Sequence, residues 1–199
     1  TRPEGVADED LKLMALNGLM NSDPEQAIPL LEKFLQGNSS RKLQERALFV
    51  LCQSGSPKAR EIVTRIARGE SQPDLQRKAI QSLGVFGSHD SRQVLADVYA
   101  STSDPSVKKS VLQAFMVGGE KDRLLAAARG EKDPDVRRQA VRLLGAMGAR
   151  TELLAMYQSE TDPEAKKTVL QSLGVAGDSE RLVEIARGDK DPEMRIAAL

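Results

Sequence analysis

The 199-residue chain has no tryptophan, one cysteine, one histidine and very few aromatic residues, 3% in all. Each shortage excludes something. Without large rings the interior must be assembled from many small Leu, Val, Ile and Ala contacts, a construction that suits repetition. The single cysteine, Cys52, rules out an internal disulfide, and the one histidine, His89, is too few for a Cys/His metal cluster. Lys plus Arg and Asp plus Glu number 29 each, so the net charge is zero. The one-signed field that phosphate backbones or anionic membranes reward is therefore missing, and nucleic acid is a poor partner for this chain. No run approaches the roughly 20 apolar residues of a membrane span, and nothing at the start reads as a signal peptide. The compartment stays open, because a lack of disulfides fits the cytosol and an exported protein alike. The chain opens on Thr1, as a cut fragment or a processed form would.

What the chain does have is a repeat. Pro73 is followed by Gly87, Pro105 by Gly119, Pro134 by Gly148 and Pro163 by Gly177, always fourteen residues on, and Arg41 stands in the proline's place before Gly55. Each unit holds two helices. In DPDVRRQAVRLLGAMG, Asp133 is placed to cap, Pro134 takes the first turn that tolerates its missing donor, and Val136, Ala140, Leu143, Leu144 and Met147 share one face. This is helix A. In DSERLVEIARG, helix B, Leu182, Val183 and Ala186 form the face expected to be buried, and Gly188 the expected left-handed terminator. The A helices start near Glu9, Arg41, Pro73, Pro105, Pro134, Pro163 and Pro192, and the B helices near Pro24, Pro57, Asp90, Glu120, Ala149 and Asp178. The fold class is all-α, a right-handed α-solenoid of helical pairs in one domain over residues 1–199. Its repeats span about 9–40, 41–72, 73–104, 105–133, 134–162 and 163–191, with a partial unit at 192–199.

The period is 32 residues for the first three units and 29 for the next three. The shortening lies between the glycine and the next proline, which predicts shorter B helices in the second half. At 8 to 10 Å between helices, six pairs make a curved rod about 50 to 60 Å long, with a change of curvature near residue 119. The units also alternate in type: YASTSDPSVKKSVLQAF and YQSETDPEAKKTVLQSL lie 58 residues apart, as do ARGEKDPDVRRQA and ARGDKDPEMRIAA. The only tyrosines, Tyr99 and Tyr157, stand where other units have Ala67, Ala128 and Ala186. They fit core packing with the hydroxyl reaching the surface, or a paired aromatic anchor for a ligand repeating over two units.

Asp-Pro-Asp-Val-Arg-Arg, a buried alanine, Leu-Gly-x-Met-Gly and a short second helix resemble a HEAT repeat, in the short form similar to those of bilin lyase subunits and many bacterial proteins. The likeness runs from about Glu9 to the end. It implies a stacked array, and a role as scaffold, receptor or enzyme subunit. It also implies a hydrogen-bonded ladder between neighbouring units, from Asp133 with Arg137 and Asp191 with Arg195, conservatively from Asp104 with Lys108 and Asp162 with Lys166. Gln72 with Gln76 departs from that pattern.

Catalysis finds little support. HEAT-type iron hydroxylases need several His-Glu pairs, and His89 stands alone in a turn beside Asp90. HEAT-type alkylpurine glycosylases need a basic groove with aromatics, which a neutral chain without tryptophan does not supply. Cys52 takes the place of Gly84, Met116, Gly145 and Gly174 in other units, with no general base nearby, and reads as a packing cysteine. Asp8, Glu9 and Asp10 suit the start of the first helix electrostatically. No cofactor is expected.

The expected function is a non-catalytic scaffold that binds a protein or peptide on its concave face. In arrays of this kind the B helices line that face. Their outward positions run Pro29, Glu61, Gln93, Arg123, Glu152, Arg181 in one row and Glu32, Thr64, Ala96, Ala126, Ala155, Glu184 in the next. Three alanines flanked by Ala127, Met156 and Arg123 would let a helix or extended peptide approach closely, with Arg and Glu fixing its register; bare helix-favouring alanines are the alternative. An accessory subunit of a modifying enzyme and a structural spacer are the competing functions. At the ends, Leu11, Ala15, Leu16 and Leu19 form a stacking face on the first helix with Leu13, Met14 and Met20 elsewhere, and DPEMRIAAL leaves Met194, Ala197 and Ala198 without a partner helix. Both ends are expected to meet further repeats or each other. Light scattering should show a mass that rises with concentration, and a strictly monomeric profile would count against self-association.

Overall fold

A computed structural model of the protein describes the backbone of residues 4–37 and 39–199, and the side chains from Leu11 onward except those of Leu13 and Asn38. Its helices gather into two compact units, Thr1–Ser101 and Thr102–Leu199. The first holds α1 (Glu4–Ser22), α2 (Pro24–Gln36), α3 (Arg41–Gln53), α4 (Pro57–Ala67), α5 (Pro73–Phe86) and α6 (His89–Ser101). The second holds α7 (Pro105–Val117), α8 (Lys121–Gly130), α9 (Pro134–Ala146), α10 (Arg150–Ser159), α11 (Pro163–Val175), α12 (Ser179–Gly188) and α13 (Pro192–Ala197). Odd-numbered helices are helix A and even-numbered ones helix B. A helices pack in series, α1 on α3 on α5 in one unit and α7 on α9 on α11 on α13 in the other, and within each unit a B helix meets the A helix that follows it. The pattern is that of an all-α solenoid, in which contacts reach only to neighbouring repeats.

The three 32-residue repeats fall in the first unit and the 29-residue ones in the second. Helices α2 and α6 run 13 residues and α4 runs 11, against 10 each for α8, α10 and α12. Where α4 is short, the remaining residues form a turn through Gly69 at φ 100°. In the second unit the A-to-B link is as tight as a helix reversal allows. Gly119, Gly148 and Gly177 adopt φ of 71 to 74°, and the amides of Glu120, Ala149 and Asp178 reach back to the carbonyls of Phe115, Leu144 and Leu173 at 2.8 to 3.0 Å. This is the Schellman closure that glycine permits. The same three residues are the N-caps of α8, α10 and α12.

Two glycines differ from expectation. Gly188 is the last helical residue of α12, and the chain leaves through Asp189 in extended conformation, because an extended exit is what lets a side chain cap the next helix. Gly87 is extended too, after a helix one residue longer, and is needed for closeness: a Cβ there would lie 1.9 Å from the Leu83 carbonyl oxygen.

The core is a line of aliphatics. Ile28, Leu31, Leu48, Leu51, Ile80 and Leu95 are fully enclosed in the first unit, and Leu112, Leu124, Leu144, Leu153, Leu170 and Leu173 in the second. Each contributes about 1.5 to 3 kcal/mol by leaving water. On α9, Val136, Ala140, Leu143 and Leu144 are buried as the spacing predicts, with Met147 half-buried at the cap. The terminal helices depart from the reading. On α1 the inward side is set by Leu16 and Met20, while Leu11 is 65% exposed and Ala15 is exposed, because only α2 and α3 cover that helix. That helix starts at Glu4, ahead of the expected Glu9, so Asp8, Glu9 and Asp10 stand beyond its first turn; their side chains and that of Leu13 lie outside those described. On α12 nothing is buried and Val183 is 46% exposed, since α11 and α13 alone pack on it. Met194 is completely buried by those same contacts, with Ala198 also buried and Ala197 exposed, so Met194 does find its partner.

The A helices α9 and α11 approach most closely at Gly145, where an added Cβ would stand 2.7 Å from the Ser172 carbonyl oxygen and 3.0 Å from its Cα. At the equivalent Gly174 the nearest atom is Leu182 Cδ1 at 3.7 Å, an ordinary contact. Alanine should therefore act oppositely at the two sites. Gly145→Ala is expected to destabilise by about 2 to 3 kcal/mol through backbone clash, and Gly174→Ala to be neutral or to stabilise by about 0.5 to 1 kcal/mol through helix propensity. Urea denaturation of both variants checks this; equal effects would contradict the packing.

Candidate functional site

The B-to-A turn carries the densest polar chemistry. Three residues before each proline stands an acceptor: Thr102, Glu131, Glu160 and Asp189. Each accepts from the backbone amide just before the proline, Asp104 to Thr102 Oγ1, Asp133 to Glu131 Oε1, Asp162 to Glu160 Oε1 and Asp191 to Asp189 Oδ1, at 2.8 to 3.2 Å. The aspartates whose amides donate in this way then cap the next helix, Asp133 accepting from Asp135 and Val136, and Asp162 from Glu164 and Ala165. Two successive side chains thus replace the bonds that the helix ends lose. The acceptor three residues before proline escaped the sequence reading, although its recurrence in EKDP, ETDP and DKDP was visible.

This geometry corrects the expected ladder. Arg137 donates to the Glu131 carbonyl at 3.4 Å and Arg195 to the Asp189 carbonyl at 2.8 Å, because Asp133 and Asp191 are turned to their own helix N-termini. Gln76, the departure from the pattern, does the same work, donating to the Ala67 carbonyl at 3.1 Å, and Gln44 to Leu35 and Gly37. At these four positions the fourth residue of helix A closes the end of the preceding B helix. Lys108 pairs with the buried Glu131 of its own repeat at 2.9 Å. Between repeats, the Tyr157 hydroxyl donates to Asp189 Oδ2 at 2.7 Å while Lys166 sits over its ring, 5.0 Å from the centroid. Tyr157 is buried and Tyr99 half-buried. Of the two readings of the tyrosines, Tyr157 follows core packing with a satisfied hydroxyl.

The candidate interaction rows fall on the outer sides of the B helices. In the first unit Pro29, Glu61 and Gln93 are exposed and Glu32, Thr64 and Ala96 half-buried. Glu32 is joined to Arg65 at 2.6 Å, and Gln93 donates to Asp97 at 2.9 Å. In the second unit Ala126, Ala155, Arg181 and Glu184 are exposed, Arg123, Glu152 and Met156 half-buried, and Ala127 buried. Arg123 donates to Glu120 at 3.1 Å with its guanidinium 5.7 Å from the Phe115 ring, and Arg181 pairs with Glu184 at 2.7 Å. An ion pair between Lys121 and Glu152 links α8 with α10, and the lysine's hydrogen bond holds the Glu152 carboxyl below the usual range. Ala126 and Ala155 thus occupy equivalent places on two joined helices.

Cys52 is half-buried beside Ser82 at a cleft of about 70 Å³, and burial pushes its thiol up to about 11, which leaves it protonated and poorly nucleophilic at neutral pH. His89 is the first residue of α6, rather than a turn residue, and its side chain is 94% exposed. Among the described residues no group of three or more His, Cys, Asp or Glu is arranged to hold a metal, and no helix is long and apolar enough to cross a membrane.

A fold of stacked helical pairs closed by proline turns defines a repeat array, which spreads its side chains over an extended surface. The chain belongs to the HEAT-repeat family: the family's model matches residues 28–116 and 122–199. HEAT repeats commonly mediate contacts between proteins, generally without catalysis of their own. A search of curated proteins finds no match.

The Tyr157 to Asp189 bond yields a test. Asp189 is held below the usual carboxylate range, first by the Asp191 amide and then by the Tyr157 hydroxyl. A lowered folded value means stability that is present above the unfolded value of about 3.9 and is lost as pH falls through the folded one. Tyr157→Phe should cost about 1 to 2 kcal/mol at pH 7, with the gap from wild type narrowing below about pH 4. Thermal melts across pH check this, and a gap that widens in acid would contradict it.

Proposed function

We propose that this protein is a non-catalytic adaptor that binds a protein or peptide along the B-helix side of its second unit, the concave side in arrays of this family. The observation that supports it is the low track of exposed Ala126 and Ala155 beside half-buried Met156, on helices held together by Lys121 and Glu152. Short side chains admit a partner backbone closely, Met156 supplies an adaptable apolar contact, and Arg123, Glu152, Arg181 and Glu184 border the track with charge of both signs. Such a border sets register more than affinity. Their ion pairs within the chain are solvent-facing and can be exchanged for partner groups at little cost.

The test compares affinity capture by wild type with two variants: Arg123→Glu with Arg181→Glu, which reverses the charged border, and Ala155→Arg, which blocks the track while leaving both arginines. Each should lower recovery of the captured species by about tenfold or more. Circular dichroism must show intact helices in both. Undiminished capture by the two variants would remove the B-helix side from consideration.

A further inference from the structure

The A-helix side of the second unit carries a different surface. A polar groove of about 560 Å³ runs across α7, α9 and α11. Its charged lining is unbalanced, four cations against two carboxylates. Both carboxylates are already engaged. Asp135 pairs with Arg138, and Glu164 with Lys167 at 3.0 Å, while Lys167 also reaches Glu193 at 3.2 Å. Lys109 and Arg142 face the same groove and form no ion pair among the described residues. Thr168, which donates to the Glu164 carbonyl, and Gln139 and Gln171 complete the polar lining, and neither glutamine amide is used in a hydrogen bond among the described residues. In a chain whose net charge is zero, this is a local excess of positive charge with spare donors around it.

We propose that this groove binds an extended acidic peptide segment of a partner protein, with two carboxylates meeting Lys109 and Arg142 and the Gln139 and Gln171 amides meeting the peptide backbone. The spacing supports a peptide over a compact anion. The two cations stand on neighbouring A helices, about 8 to 10 Å apart axis to axis; two residues of an extended chain advance about 7 Å, and the long side chains reach the rest. Carboxylates two positions apart lie on one face of an extended strand and bring one charge to each cation. Amides that offer both a donor and an acceptor suit main-chain N–H and C=O groups, which an extended strand presents unpaired. The groove lies on the face opposite to the alanine track's helices in sequence order, on A rather than B helices, so its occupancy is independent of the adaptor reading.

Fluorescence anisotropy with a short fluorescein-labelled peptide carrying two glutamates two positions apart tests this on the whole chain. Saturable binding is expected, weakened at least about tenfold by replacing both glutamates with glutamine, and equally by Lys109→Glu with Arg142→Glu. Lys109→Gln with Arg142→Gln serves as the milder pair should the reversal perturb folding, and should weaken binding in the same direction. Equal binding of the glutamine peptide, undiminished binding by the glutamine variant, or no binding of the acidic peptide to wild type overturns the proposal. So does displacement by inorganic phosphate beyond that caused by sodium chloride at equal ionic strength, which would mark a small-anion site.

Discussion

Everything in this structure depends on how the chain turns from a B helix into the next A helix. A helix ends with carbonyls, and begins with amides, that have lost their partners, and a solenoid must bury part of both at every repeat. Here the acceptor three residues before proline takes the amide before it, the next aspartate caps the new helix, and the fourth helical residue donates back to the old one. The three bonds define the angle at which the A helix leaves. Stacking follows, because each new helix presents its aliphatic face to its predecessor.

The turn also explains why polar residues can sit where the core would seem to forbid them. Glu131 is buried, yet one oxygen is taken by two backbone amides and the other by Lys108. Gln44 is buried and spends its amide on two carbonyls. Fully partnered, such groups avoid the desolvation penalty and restrict the number of ways the repeats can dock. Aromatic mass is not needed for that. The fully enclosed apolar side chains are Leu, Ile, Val, Ala and Met194, and two of the four phenylalanines, Phe49 and Phe86, lie half-exposed in edge-to-face contact at 5.9 Å.

With cohesion supplied from the turns and the aliphatic line, the outer sides of both helix sets are left free to vary. The B side of the second unit offers short residues between charges, and the A side offers unpaired cations between amides. Division of labour between a recurring turn and variable flanks is what makes a repeat array a versatile scaffold.

Helix identity, order and period were legible in the amino-acid sequence, because proline and glycine act locally: one restricts φ at a helix start, the other admits positive φ at a helix end. The placing of Val136, Ala140, Leu143 and Leu144 was legible for the same reason, a 3.6-residue periodicity that needs no partner to be seen. The phase of α1, the exposure of Val183 and the burial of Met194 were not, since each depends on which helices happen to lie against it. The acceptors of Arg137 and Arg195, the Lys121 to Glu152 bridge and the common groove of Lys109 and Arg142 also required the tertiary structure. The candidate rows on the B helices could be named from spacing alone, but their pairing within the chain could not. Local conformation is written in neighbouring residues, whereas ion pairs and grooves between repeats join positions about 30 residues apart, and only the stacking of the helices brings those side chains within reach.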